Sequence, residues 1–234
     1  MLGALPPTEV ALSTLVRKHY SFQQGCFVSE HTKTVGGILA FSQVTPVPMW
    51  NHAAWIGGTG ADFQDFLRRS ISWQKDRKRR PVIYLSEPTP GQESALRHLG
   101  FEKFDEEAWM VCALSNTSHE SALNVREVTN EKSLQEFIGT FSSAFQIKED
   151  GYRTVLQSAR DSEVQSRHFV LYDESGAPAS VGTLMFAGSI GCIYNVGTPS
   201  HKRNKGCGRR IFEHISAAAR DAGCEAHFLQ VEDH

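Results

Sequence analysis

The stretch that constrains this chain most is residues 195–229, NVGTPSHKRNKGCGRRIFEHISAAARDAGCEAHFL. An apolar run, Ile190–Val196, leads into a basic turn, Arg203-Asn204-Lys205-Gly206-Cys207-Gly208. A helical pattern follows to Ala222, Gly223 stops it, and a second apolar run covers Ala226–Val231. Strand, glycine turn, helix and strand in this order offer backbone N–H groups and the positive pole of a helix to an anion. Gly206 and Gly208 place no Cβ between backbone and ligand and tolerate positive φ. Lys202, Arg203, Lys205, Arg209 and Arg210 surround that pole with full positive charge. A G-x-G alone is a weak signal; inside a basic turn between strand and helix it describes a pyrophosphate-binding site.

The rest of the composition mainly excludes. At 234 residues the chain has room for one large domain or two small ones. Its 40% hydrophobic and 21% charged residues are those of a globular protein, and a net charge of −2 gives no global attraction to nucleic acid or a membrane surface. No apolar run approaches the ~20 residues of a membrane span. The N-terminus, MLGALPPTEVAL, lacks a basic region and a long apolar one, so the expected location is cytoplasmic. Five cysteines, scattered and without a C-x-x-C pair, argue against a disulfide framework and a zinc site. Cys26, Cys112 and Cys192 sit in apolar strand-like runs and read as buried thiols. The ten histidines show no ligand spacing, His201 and His214 read as surface residues, and no metal is expected. The run Lys75–Arg80 ends a helix and, Trp73 apart, has no aromatic interleaving; it reads as a solvated face.

Taken in order, the chain predicts a lead-in helix from Thr8 to about Lys18, then strands at Gly25–Ser29, Val35–Ser42 and Met49–Ile56. Gly57-Gly58-Thr59-Gly60 turns into a helix carrying Phe63, Phe66, Leu67 and Ile71. Pro81–Leu85 reads as a strand and Gln92–Leu99 as a helix closed by Gly100. Phe101–Phe104 and Ala108–Ala113 read as a closing hairpin, and Ser115–Glu120 as a linker. Beyond it come a strand at Asn124–Val128, a helix at Ser133–Phe145 with Leu134, Phe137, Ile138, Phe141 and Phe145 on one face, and a short helix at Tyr152–Arg160. A hairpin, His168–Tyr172 and Ser180–Phe186, leads to the opening stretch. The two halves repeat one plan: hairpin, third strand, glycine-bearing turn, amphipathic helix, strand.

Arg203-x-x-Gly206-x-Gly208 at a strand-to-helix turn resembles motif A of the GCN5-related N-acetyltransferases (GNAT). The spacing from Val196 through Thr198 to Arg203 also matches that family, although Pro199 stands one residue earlier than its usual proline. In the first half, Glu93–Phe101, ESALRHLGF, resembles the family's motif B, with Leu96 where many members carry a tyrosine that protonates the departing thiolate. The resemblance implies an α/β fold of two GNAT-like mixed-sheet domains: residues 1–114 as a degenerate copy, 115–122 as a linker, and 123–234 as the domain carrying the acyl-CoA motif. The first-half turn lacks Arg-x-x-Gly-x-Gly and any basic residue before its helix, so no cofactor is expected there. After Val231 the family would continue with motif B and two strands; either a longer chain or another segment supplies them.

That resemblance implies acetyl-CoA as donor and direct transfer of its acetyl group to an amine. The backbone of Val196, Gly197 and Thr198 would pair with the pantetheine arm. The N–H groups of Arg203, Asn204, Lys205, Gly206, Cys207 and Gly208, with Arg209, would hold the pyrophosphate, and Lys202 or Lys205 would reach the 3′-phosphate. Cys207 reads as a small core residue, not a nucleophile. Tyr194 and Asn195, on the strand beside the expected thioester and pointing to opposite faces, are the catalytic candidates. Glu149 and Asp150 would line the acceptor site. The expected partners are a small-molecule or peptide amine and, as an assembly, a homodimer, without nucleic acid or membrane. The alternative is a GNAT-fold module that binds CoA without turnover. A dinucleotide-binding Rossmann unit needs G-x-G-x-x-G after its first strand and an acidic residue about twenty positions on, which this sequence does not offer.

Overall fold

A computed structural model describes residues 12–23, 28, 30–43, 46–57, 62–114, 124–146 and 164–232. The predicted linker, the helix at Tyr152–Arg160, Glu149, Asp150, Cys26 and the turn residues Gly58–Gly60 lie outside them. The chain divides into two units, Ala11–Glu107 and Ala108–Val231.

In the first unit, α1 (Leu12–Gln23) precedes β1 (Glu30–Thr34), β2 (Gly37–Phe41) and β3 (His52–Trp55); α2 (Phe63–Asp76) crosses to β4 (Ile83–Leu85), and α3 (Pro90–His98) follows. β1–β2 and β2–β3 are antiparallel and β3–β4 is parallel. Leu39, Ala53 and Trp55 of the sheet pack with Phe66 and Leu67 of α2. The rings of Tyr20, His31 and His52 bring α1 against the other strand residues. The hairpin falls later than the sequence suggests: Val35-Gly36 is its turn, with Gly36 at φ 83°, and not part of a strand Val35–Ser42. Met49 and Trp50 form a 3-10 turn, so β3 starts only at His52.

In the second unit, β6 (Val125–Glu127) and α4 (Glu131–Phe145) precede β7 (Gln165–Tyr172), β8 (Pro178–Ala187) and β9 (Ile190–Gly197); α5 (Cys207–Asp221) crosses to β10 (Ala226–Glu232). β7–β8 and β8–β9 are antiparallel and β9–β10 is parallel, the same plan as in the first unit. Phe169, Leu184 and Ile193 of the sheet bury against Ile211, Ile215 and Ala219 of α5. Phe137 of α4 meets His168 edge-on at 5.3 Å, while Phe169 meets His214 of α5 at 5.2 Å, so adjacent β7 residues serve opposite faces. Gly182 of β8 admits α5 closely: a Cβ there would lie 2.4 Å from Ile215 Cδ1.

The strand β5 (Glu107–Ala113) corrects the sequence reading. It forms no hairpin with Phe101–Phe104, which is not a strand, but takes the edge of the six-stranded sheet, ordered β5-β10-β9-β8-β7-β6. Trp109 stacks on Phe228 of β10 at 5.7 Å, and Leu114 N–H donates to Glu225 O at 2.8 Å. Cys112 is exposed on this edge strand, not buried. The preference for β10 is a matter of ladder satisfaction over more than a hundred residues, which no local pattern encodes.

Candidate functional site

The site is built where β9 and β10 part. Their parallel register covers only Ile190–Cys192 with Ala226–Phe228, so Ile193–Gly197 of β9 run on without that partner. On the other side β9 carries a bulge. Val181 pairs with Gly197 but Thr183 with Tyr194, so Asn195 and Val196 together face Gly182. Asn195 is left-handed there, at φ 58°. Strict alternation is broken, and Tyr194 and Asn195 do not point to opposite faces as expected: the Asn195 amide donates to Thr183 Oγ1 at 3.1 Å, on the residue that pairs with Tyr194.

After the bulge the chain is pinned tightly. Ser180 Oγ donates to Gly197 O at 2.9 Å and lies 2.9 Å from Thr198 Oγ1. Gly197 lets the end of α4 approach; a Cβ there would meet Phe145 Cε2 at 2.7 Å and Ala144 Cβ at 2.9 Å. Arg203 turns back, its Nε donating to Thr198 O at 3.0 Å and its Nη2 to Ala144 O at 3.4 Å. Its guanidinium thus satisfies a terminal carbonyl of α4. A cavity of about 480 Å³ results, lined by Ala144, Phe145, Val196–Thr198, Arg203, Asn204 and Gly206–Gly208.

The N–H of Arg203, expected among the donors of the turn, is taken by Ser200 O at 3.2 Å, but the donors that follow it are left unused. Asn204 at φ 61° and Gly206 at φ 74° are both left-handed, the alternation that gathers N–H groups into an anion-binding concavity. Gly206 is the N-cap of α5 and no side chain caps the helix; the first helical bond is Arg210 N–H to Gly206 O at 3.0 Å. α2 behaves oppositely: the Asp62 carboxylate accepts from Gln64 N at 2.7 Å and Asp65 N at 3.2 Å. α3 and α4 are likewise capped, by Thr89 and Asn130. In the first unit a carboxylate already holds the helix pole; in the second the pole is bare. A Cβ on Gly206 would meet nothing within 4 Å and one on Gly208 only Thr198 Oγ1 at 3.6 Å, so the space above the turn is open. An anion bridged by backbone donors, as in the pyrophosphate of an acyl-CoA, fits these residues.

Of the expected donor-binding residues, the cavity gathers Val196, Gly197, Thr198, Arg203, Asn204, Gly206, Cys207 and Gly208. Lys205 and Arg209 stay outside its lining; both are exposed, and Arg209 Nε pairs with Glu213 at 2.7 Å. Cys207 is buried with Ile211 in the core, the place expected of it. Lys202 is engaged elsewhere, its Nζ 2.5 Å from Asp173 Oδ2. That bond, with others from Ser175 and Ala177, holds the Asp173 carboxyl well below its ordinary range. Ala144 and Phe145 were visible in the sequence only as a helix end; nothing local signals that they wall a site 50 residues later. His214, expected at the surface, is half-buried against Phe169, and burial lowers its pKa. In the Lys75–Arg80 run, Arg77 lies 4.0 Å over the Trp73 ring and pairs with Glu30, and Arg79 bonds Asn51 and Ser42, so two of its five cations are structural.

Among the described residues no three His, Cys, Asp or Glu side chains gather as a metal ion requires, and no helix is long and apolar enough to cross a membrane. No family model and no curated protein matches the sequence. Solved structures do. A GCN5-related N-acetyltransferase from Kribbella flavida superposes with a TM-score of 0.65 at 14% identity, over 94% of this chain and 87% of that one. Another, from Sphaerobacter thermophilus, gives 0.62 at 12% identity, over 96% and 78%. A tandem GNAT protein from the clavulanic acid biosynthesis pathway gives 0.57 at 9% identity, over 84% and 70%. Identity this low speaks for fold alone. On that likeness and its two repeated mixed sheets, the chain has the α/β fold of the GCN5-related N-acetyltransferases in tandem arrangement.

Proposed function

We propose that this protein is an N-acyltransferase that takes an acetyl group from acetyl-CoA and passes it directly to an amine, acting in the cytoplasm, with the donor held in the second unit. The observation that carries the reading is the bare N-terminus of α5 beside the gap between β9 and β10. Bound there, acetyl-CoA supplies an activated acyl thioester. The N–H groups of Asn204 to Arg209 hold the pyrophosphate, and exposed Lys205 and Arg209 add charge around it. The backbone of Val196 and Gly197, which β10 does not pair, and of Thr198, whose carbonyl already accepts from Arg203 Nε, binds the amide-bearing arm as an added strand. Phe145 and Val196, both partly exposed apolar side chains, exclude water along it. An amide cannot take up the amine's proton, so of Tyr194 and Asn195 only the Tyr194 phenol offers acid–base chemistry.

A second reading, CoA binding without turnover, is favoured by the lining itself. Apart from the Arg203 guanidinium and the buried Cys207 thiol, none of the residues around the cavity carries an ionisable side chain. The two readings separate by calorimetric CoA binding measured beside acetyl-CoA consumption over a panel of amines. Turnover on any amine supports the enzyme, and tight binding with no turnover on all of them supports the module. The site itself is tested by Gly208→Val. A Cβ at 208 makes only ordinary contact, so the variant should fold with wild-type melting behaviour while CoA binding is lost. Unchanged affinity would overturn the assignment.

A further inference from the structure

The bulge in β9 is held from across the sheet. Asn195, left-handed at φ 58°, sits in a conformation that costs a non-glycine residue energy, though asparagine less than most. Its amide Nδ2 donates to Thr183 Oγ1 at 3.1 Å. Thr183 is 1% exposed, so its hydroxyl hydrogen must find a protein acceptor, and His168 Nδ1 lies 2.9 Å away. This order of donation sets His168 as the neutral tautomer with its proton on Nε2. Burial favours that state, pushing the His168 pKa down to about 4 against the opposing influence of Glu127. The Phe137 ring packs edge-on against the imidazole at 5.3 Å. The chain of bonds thus crosses β7, β8 and β9, and ends one residue before Val196, where the cavity wall begins.

From this geometry we infer that His168 and Thr183 are positioning residues for the donor site: through Asn195 they hold the β9 bulge, and so fix the direction in which Val196, Gly197 and Thr198 present their backbone to the cavity. The inference rests on reading that cavity as the acyl-CoA site. Neither residue lines it, and their influence passes through a single backbone conformation. A glycine at 195 takes positive φ without help from a side chain, which separates this role from general packing.

The test is a double-mutant cycle on the full chain, with CoA as probe in calorimetry and melting temperature read in parallel. Thr183→Val preserves shape and removes the hydroxyl; it should weaken CoA binding about tenfold, the order expected for releasing a strained residue. Thr183→Ser, which restores the hydroxyl, should recover most of that loss, and His168→Leu should shift affinity in the same direction as Thr183→Val. In an Asn195→Gly background, Thr183→Val should add no further loss of affinity. The inference is overturned if Thr183→Val lowers the melting temperature but leaves CoA affinity unchanged, or if its full effect persists beside Gly at 195. A wild-type chain that binds no CoA sinks the functional reading and this one together; a wild type that binds beside an unaffected Thr183→Val sinks only this one.

Discussion

Lys202 and Asp173 join the β7–β8 turn to the start of the glycine turn that precedes α5, with Nζ and Oδ2 2.5 Å apart. The same carboxylate accepts from Ser175 N at 2.9 Å, Ser175 Oγ at 2.6 Å and Ala177 N at 3.1 Å, so one side chain organises a hairpin turn and tethers a loop. These bonds lower the Asp173 pKa, the Lys202 bond most. A carboxyl depressed in the folded state stabilises it above the ordinary carboxylate value, and the contribution is lost as pH falls toward the folded value. Asp173→Asn should therefore lower the urea midpoint at pH 7 and flatten its dependence on pH below 4. A variant with the wild-type acid limb would show that the pair adds nothing.

Gly197 is predicted to be irreplaceable for a steric reason. A methyl group there would sit 2.7 Å from Phe145 Cε2 and 2.9 Å from Ala144 Cβ. Gly197→Ala should cost about 1–3 kcal/mol of stability, as overpacking does, and push α4 off the cavity, weakening CoA binding. Adding Phe145→Ala should restore only part of the stability, because Ala144 remains in the way. Chemical denaturation of the single and double variants checks both statements.

Asp62 and Gly206 are N-caps of helices in equivalent places, one capped by a carboxylate and one bare. Asp62→Ala should destabilise the first unit by about 1 kcal/mol, the usual worth of a cap, and leave CoA affinity as it was. A change in affinity would mean that the first unit shares in donor binding.

The first unit should be acid-sensitive. His52 Nδ1 donates to Pro48 O at 3.1 Å and its Nε2 accepts from the Tyr20 hydroxyl, which requires a neutral ring. Burial lowers His52 to about 4, and burial with the nearby His52 lowers His19 to about 3. A histidine with a folded value below its unfolded one stabilises the fold only while neutral. The contribution is whole above about pH 6.5 and declines as pH falls from there toward 4, on the order of 3 kcal/mol for His52 alone. The urea midpoint should drop between pH 7 and 5, and His52→Gln, which cannot charge, should show a shallower drop. Parallel slopes would refute this account.

What the sequence determined by itself was local. The turn before α5, its two glycines, the apolar faces of α4 and α5, and the repeated order of strands and helices each depend on contiguous residues whose conformational preferences and periodicity are written in place. Hence the glycine turn before α5 was placed by the sequence alone. Tertiary structure alone decided the rest. β5 joined β10 because a strand edge takes whichever partner satisfies its ladder. Ala144 and Phe145 became a cavity wall because Gly197 lets them close in. Lys202 turned away to Asp173, and Asn195 was drawn into a bulge by Thr183 and His168. Each of these is a pairing between residues far apart in sequence, settled by burial and by hydrogen bonds that only the folded chain can bring within reach.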